Sequence, residues 1–209
     1  MVRVKICGIT NAADALAAIE AGANMLGFNF YEKSPRRVSE AEAAKIRTQL
    51  PKRVKAVGVF VNAPPAQVIA LGKSLKLDVA QLHGDETPET VAEVAASLAV
   101  FKAFRVESEF RLETLDEYPE AAAFLFDAAS TGQYGGTGRT TDWDVARRAA
   151  QVHRIILAGG LKVENVAAAV RIVRPYGVDV ASGVESRPGE KDYARLREFI
   201  QEVRRAERK

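Results

Sequence analysis

Residues 2–22, VRVKICGITNAADALAAIEAG, change period halfway along. Val2, Val4 and Ile6 alternate with Arg3, Lys5 and Cys7, the two-residue repeat of a strand. Beyond Gly8, Ala, Leu and Ile recur at helical spacing; Thr10 or Asn11 can cap the start, and Gly22 can stop the end. A strand, a turn and a helix make one β/α unit.

The same alternation runs down the chain. Further strands are expected at MLGFNF (25–30), VKAVGVFV (54–61), DVAQLH (78–83), VFKAFRV (100–106), AAFLFD (122–127), RIILAG (154–159) and VDVAS (178–182). Helical patterns occupy 39–51, 64–78, 87–98, 161–175 and 191–209. Ser39 with Glu42 forms a capping box, and Pro51 ends that run. The fifth connection, ESEFRLETLDEYPE (107–120), is the least regular and is also read as a helix. No linker or composition shift divides the chain. Eight strands alternating with helical segments over 1–209 predict one domain, an α/β (β/α)8 TIM barrel. An open doubly wound sheet is the alternative, but the first turn, CGITNAAD, is not G-x-G-x-x-G.

Composition narrows the function. Of 209 residues, 47% are hydrophobic and 27% charged, an ordinary globular balance. One cysteine allows no internal disulfide or multi-cysteine zinc site, and two histidines argue against a histidine-rich metal centre. No metal and no cofactor are expected. The net charge of +3 is scattered apart from VRRAERK at 203–209, a solvated helix end, so nucleic acid is not an expected partner. No apolar run reaches the roughly 18–20 residues of a membrane span, and the N-terminal segment lacks signal-peptide features. A cytoplasmic location without membrane contact is the expectation.

In a barrel the outward strand face packs on helices. The inward face fills the interior and, at the C-terminal end, meets the active-site mouth. Val2, Val4, Ile6, Ala80, Leu82, Phe124, Phe126, Val178 and Val180 fall outward. Arg3, Lys5, Cys7, Gln81, His83, Asp127 and Asp179 fall inward. Cys7, His83 and Asp127 lie at or near the ends of their strands, where barrel enzymes keep their chemistry. Arg3 or Lys5 can also simply pair with Asp179. A cation at Lys5 favours the Cys7 thiolate, whereas burial opposes it. Gly8 lets a substrate approach. Cys7 and Asp127, in different environments, suit base and acid roles.

Strand seven ends LAGGL and strand eight ASGVESRPGEKD, the two turns that commonly bind phosphate in such barrels. Gly159, Gly160, Ser182 and Gly183 are the candidate backbone donors, aided by a helix N-terminus. YEKSPRRVSE (31–40) offers Arg36 and Arg37, either able to grip a carboxylate. STGQYGGTGRTTDW (130–143) reads as a lid beside Asp127.

The motifs KICGIT (5–10), GFNFYEKSPR (27–36), GVFVN (58–62), QLHGDE (81–86), LFDA (125–128) with YGGTGRTTDW (134–143), LAGGL (157–161) and VDVASGVE (178–185) with PGEKD (188–192) resemble, in this order, the phosphoribosylanthranilate isomerases of tryptophan biosynthesis. The resemblance implies a cofactor-free, metal-free Amadori rearrangement of a phosphorylated aminoaldose to 1-(2-carboxyphenylamino)-1-deoxyribulose 5-phosphate. It implies Asp127 as general acid at the furanose ring oxygen and Cys7 as general base at sugar C2. It further implies Arg36 on the anthranilate carboxylate, Asp179 positioning substrate, and the strand seven and eight turns on the phosphate. Gln81 and His83 belong to a motif typical of the family and are read as lining the site. Another sugar-phosphate aldose–ketose isomerase on the same barrel is the competing enzyme reading. A non-catalytic phosphate-ligand-binding barrel is the competing non-enzyme reading, and it predicts loss of Cys7 or Asp127. Both a monomer and a homodimer fit the sequence.

Overall fold

The computed structural model describes residues 1–128 and 142–208. Eight parallel strands close a barrel in chain order: β1 (Arg3–Cys7), β2 (Met25–Asn29), β3 (Lys55–Phe60), β4 (Val79–Leu82), β5 (Ala99–Val106), β6 (Ala123–Ala128), β7 (Ile155–Leu157) and β8 (Gly177–Val180). Closure is made by β8 pairing with β1, in a register that sets Lys5 beside Asp179.

Strand alternation separates two apolar clusters, as the sequence predicts. Outward residues such as Val4, Ile6, Leu82, Phe126 and Val180 pack in the layer between barrel and helices. Inward residues such as Met25, Val57, Val79, Phe101, Leu125 and Ile156 fill the barrel itself. Packing layers of branched side chains make the interior a core rather than a pore. Arg3 shares the inward face but stays exposed at the lower rim, its guanidinium 5.4 Å from the centre of the Tyr176 ring. Of the two basic candidates, Lys5 is the one that pairs with Asp179.

The helices are α1 (Ala12–Ala21), α2 (Glu40–Gln49), α3 (Pro65–Ser74), α4 (Pro88–Ala95), α5 (Trp143–Ala149), α6 (Val163–Val173) and α7 (Tyr193–Glu207). Their starts follow local chemistry. Asn11, Ser39, Thr87, Asp142 and Asp192 each accept a hydrogen bond from a first-turn backbone N–H. Gly22 closes α1 at φ +104, in the left-handed region that glycine enters without strain. The fifth connection departs from expectation: Leu112–Glu117 is a 3-10 segment, not an α-helix. Its apolar residues Leu112, Leu115 and Tyr118 recur every third position, which suits a helix of three residues per turn.

One element was not foreseen. After β8 the chain forms an antiparallel hairpin, β9 (Glu185–Arg187) and β10 (Glu190–Lys191), turning at Gly189 with φ +84. Among the described residues no helix is long and apolar enough to cross a membrane.

Candidate active site

The C-terminal ends of the strands open into a cavity of about 620 Å³. Its wall includes Cys7, Arg36, Gln81, His83, Asp127 and Asp179, six candidates read from the sequence, together with Gly159, Gly160 and Ser182. Asn29 and Tyr31 also line it, without having been singled out. Gly183 stands behind the wall, packed against Leu161. Arg37 is an exposed residue facing Glu32 at 4.0 Å. The expected lid, apart from Asp142 and Trp143, lies outside the described residues.

Cys7 ends β1 next to Gly27 of β2. A β-carbon on Gly27 would stand 2.8 Å from Cys7 Sγ and 3.0 Å from Lys5 Nζ. The glycine thus leaves the space in which thiol and ammonium meet. Lys5 is fully buried and donates to Asp179 Oδ1 at 3.0 Å. Burial works against the Lys5 ammonium, but Asp179 and Cys7 outweigh it and its pKa is raised. For the thiol the balance runs the other way. Burial pushes Cys7 up, and Lys5 and Lys191 offset only part of that, with Asp179 adding to the rise. The lowering expected from Lys5 alone is therefore outweighed by desolvation.

Asp127 ends the inward face of β6, with β7 and β8 between it and β1. Gln81 Nε2 lies 2.8 Å from His83 Nδ1, and His83 Nε2 lies 3.2 Å from Asp127 Oδ2. With the amide donating to Nδ1, the neutral ring carries its proton on Nε2 and donates it to the carboxyl group. Gln81 on β4 and His83 just beyond its end thereby orient the Asp127 side chain.

The two glycine turns after β7 and β8 occupy the gap between the acid strand and the thiol strand. Gly159 and Gly160 adopt φ +77 and +63, consecutive left-handed residues that curve backbone N–H groups into a concave turn. Asn165 fixes this turn, accepting from Lys162 N at 2.8 Å and donating to Gly160 O at 2.9 Å. The start of α6 follows at once, adding its N-terminal dipole.

Arg36 reaches the cavity from the loop after β2. Its Nε and Nη2 donate to Glu185 at 2.7–3.1 Å. Glu185 also accepts from Lys191 Nζ at 2.9 Å, and Lys191 Nζ donates to Cys7 O at 2.6 Å. Burial pushes the Glu185 carboxyl up, but Arg36 and Lys191 hold it below the usual carboxylate value. Neither Glu185 nor Lys191 was singled out, although both lie in the motifs VDVASGVE (178–185) and PGEKD (188–192).

The arrangement offers a thiol and a carboxyl group across a barrel mouth, an anion cradle between them and a guanidinium on the far side. The comparisons with known proteins agree with that chemistry. The family model described as N-(5'phosphoribosyl)anthranilate (PRA) isomerase matches residues 4–202. The N-(5'-phosphoribosyl)anthranilate isomerase of Pelobacter propionicus is 52% identical over 200 residues, covering 96% of this chain and 94% of that protein. The crystal structure of phosphoribosyl anthranilate isomerase from Thermotoga maritima superposes with a TM-score of 0.91 at 40% identity, covering 98% of this chain and 99% of that one. A phosphoribosyl anthranilate isomerase solved with reduced 1-(o-carboxyphenylamino)-1-deoxyribulose 5-phosphate has a TM-score of 0.87 at 40% identity, with 98% and 99% coverage. The matched residues span all eight barrel strands and both glycine turns, and the chain belongs to the N-(5'-phosphoribosyl)anthranilate isomerase family.

Proposed function

We propose that this barrel converts N-(5'-phosphoribosyl)anthranilate to 1-(2-carboxyphenylamino)-1-deoxyribulose 5-phosphate, with Asp127 as general acid and Cys7 as general base. The observation that carries the reading is the placement of both groups on one cavity with the glycine turns between their strands. A phosphate on the Gly159–Gly160 turn and at Ser182 sets the sugar over the barrel mouth, within the span from β6 to β1. Arg36, on the side of Cys7 away from that turn, meets the aromatic carboxylate. The relative bound to the reduced product analogue supports a ligand of this class.

The steps balance as follows. The Asp127 carboxyl gives its proton to the ring oxygen as the C1–O bond breaks, leaving a protonated Schiff base at C1. The Cys7 thiolate takes the C2 proton, and the C2–H electron pair forms the C1–C2 double bond of an enolamine. Return of the proton from the Cys7 thiol to C1 and passage of the C2 hydroxyl proton to the Asp127 carboxylate give the ketone and restore both groups. His83, held by Gln81, orients Asp127. Lys5 balances the thiolate when it forms, and Asp179 both holds Lys5 and positions the sugar.

The test follows the fluorescence of freshly generated phosphoribosylanthranilate with and without protein, in EDTA. Rapid consumption to the ketose is expected. Cys7→Ala and Asp127→Ala are each expected to lose about 10²–10⁴ in turnover while still binding the reduced product analogue. Near-normal turnover in Cys7→Ala would remove the base assignment.

A further inference from the structure

We propose that Glu185 is a positioning residue that sets the selectivity of this site for an aryl amino sugar bearing a carboxylate, by holding Arg36 in one orientation. The proposal rests on the reading of Arg36 as the group that meets that carboxylate.

Arg36 is fixed at three levels. Its backbone N–H donates to Ser34 Oγ at 3.1 Å. Its stem lies on Gly8, where a β-carbon would stand 2.7 Å from Arg36 Cδ. Its head gives Nε and Nη2 to the two oxygens of Glu185. A guanidinium has five donors in a rigid plane, so two edges are distinct. With one edge spent on Glu185, the other is aimed by the plane itself, and Arg36 lines the cavity. An unheld arginine would instead lose side-chain freedom on each binding event.

Glu185 is itself immobilised. It is buried, accepts from Lys191 Nζ at 2.9 Å, and lies 3.4 Å from Gly189 N. The hairpin carrying both residues is tied to the β1 side of the barrel. Thr10 Oγ1 donates to Gly189 O at 2.6 Å, and Lys191 N donates to Asp14 Oδ2 at 3.0 Å. Since Lys191 Nζ also holds the carbonyl of Cys7, the carboxylate anchor and the thiol share one frame. The charges add to the effect. Arg36 and Lys191 against Glu185 leave one net positive charge facing the cavity side, suited to a single carboxylate.

The experiment titrates wild type, Glu185→Gln and Arg36→Ala with reduced 1-(o-carboxyphenylamino)-1-deoxyribulose 5-phosphate and with its phenylamino counterpart lacking the carboxyl group. Glu185→Gln is expected to weaken the carboxylated ligand about tenfold, the scale of a lost charge-assisted hydrogen bond, and the other ligand less than about twofold. In an Arg36→Ala background the same change is expected to cost nothing further for the carboxylated ligand. Equal weakening of both ligands by Glu185→Gln makes Glu185 a general structural support and overturns the proposal. No weakening by Glu185→Gln, while Arg36→Ala still weakens the carboxylated ligand more than the other, overturns the proposal while leaving the Arg36 reading intact. An Arg36→Ala that weakens both ligands equally overturns both. If Glu185→Gln does not fold, Glu185→Asp keeps the charge but withdraws the fork, and the same selectivity loss is expected from it.

Discussion

A β-carbon on Gly183 would stand 2.0 Å from the Leu161 carbonyl oxygen. The turn after β8 and the turn after β7 are thus in backbone contact, and no side chain fits between them. Gly183→Ala must push one turn off the other. The overpacking strain of about 1–3 kcal/mol falls on the turns proposed to hold the phosphate. We expect KM for the phosphorylated substrate to rise roughly tenfold, the equivalent of about 1.4 kcal/mol. Steady-state kinetics check this, and an unchanged KM would show that the cradle forms without that contact.

Cys7 sets the pH dependence. Its thiol is raised above the ordinary value of 9.0, chiefly by burial. The proposed base is the thiolate, whose fraction grows with pH and goes on growing beyond 9.0. Because the chain has one cysteine, its alkylation by iodoacetamide reports that fraction directly. The expected profile climbs about tenfold per pH unit through neutrality, with no plateau below pH 9. A plateau near pH 7 would mean that Lys5 and Lys191 outweigh burial.

Lys102 and Glu86 predict a stability effect away from the chemistry. Lys102 Nζ donates to Glu86 Oε2 at 2.9 Å and to the carbonyls of Gly84 and Ala103 at 2.8 and 3.1 Å. Both side chains are only 2% exposed. Lys102→Met leaves the Glu86 carboxylate buried without its counter-charge, a loss of about 3–5 kcal/mol. Melting temperature is expected to fall by roughly 6–20 °C for a domain of this size. Lys45→Met, which breaks a pair that is 72% exposed on the lysine side, is expected to move it by less than about 2 °C. Calorimetry on both variants checks the contrast.

Much of this molecule was legible as periodicity. Alternation placed Val4 and Ile6 outward and Lys5 and Cys7 inward, and the same rule brought Gln81, His83, Asp127 and Asp179 to one interior. Capping residues such as Asn11 and Ser39 marked helix starts through local chemistry alone. Glu185 and Lys191 escaped because their segment has no period and their partners lie far off in the chain. The Arg36–Glu185 contact spans 149 residues, and nothing local announces it. The sign of the Cys7 shift escaped for a related reason. Lys5 on the same face is visible in the sequence, whereas the depth of burial that outweighs it is a property of the closed barrel.

Closure of the barrel by β1 and β8 also orders events in time. Lys5 and Asp179 are 174 residues apart, and Lys191 and Cys7 are 184 apart. Lys5 neighbours the thiol on its own strand, whereas Asp179 and Lys191 reach it from β8 and the hairpin. Contacts of such separation form slowly, because the loop between them must first be gathered. The surroundings of the thiol are therefore complete only once β8 and the hairpin dock beside β1. The ion pairs around Cys7 double as a seal on the ring, and they form as the circle shuts.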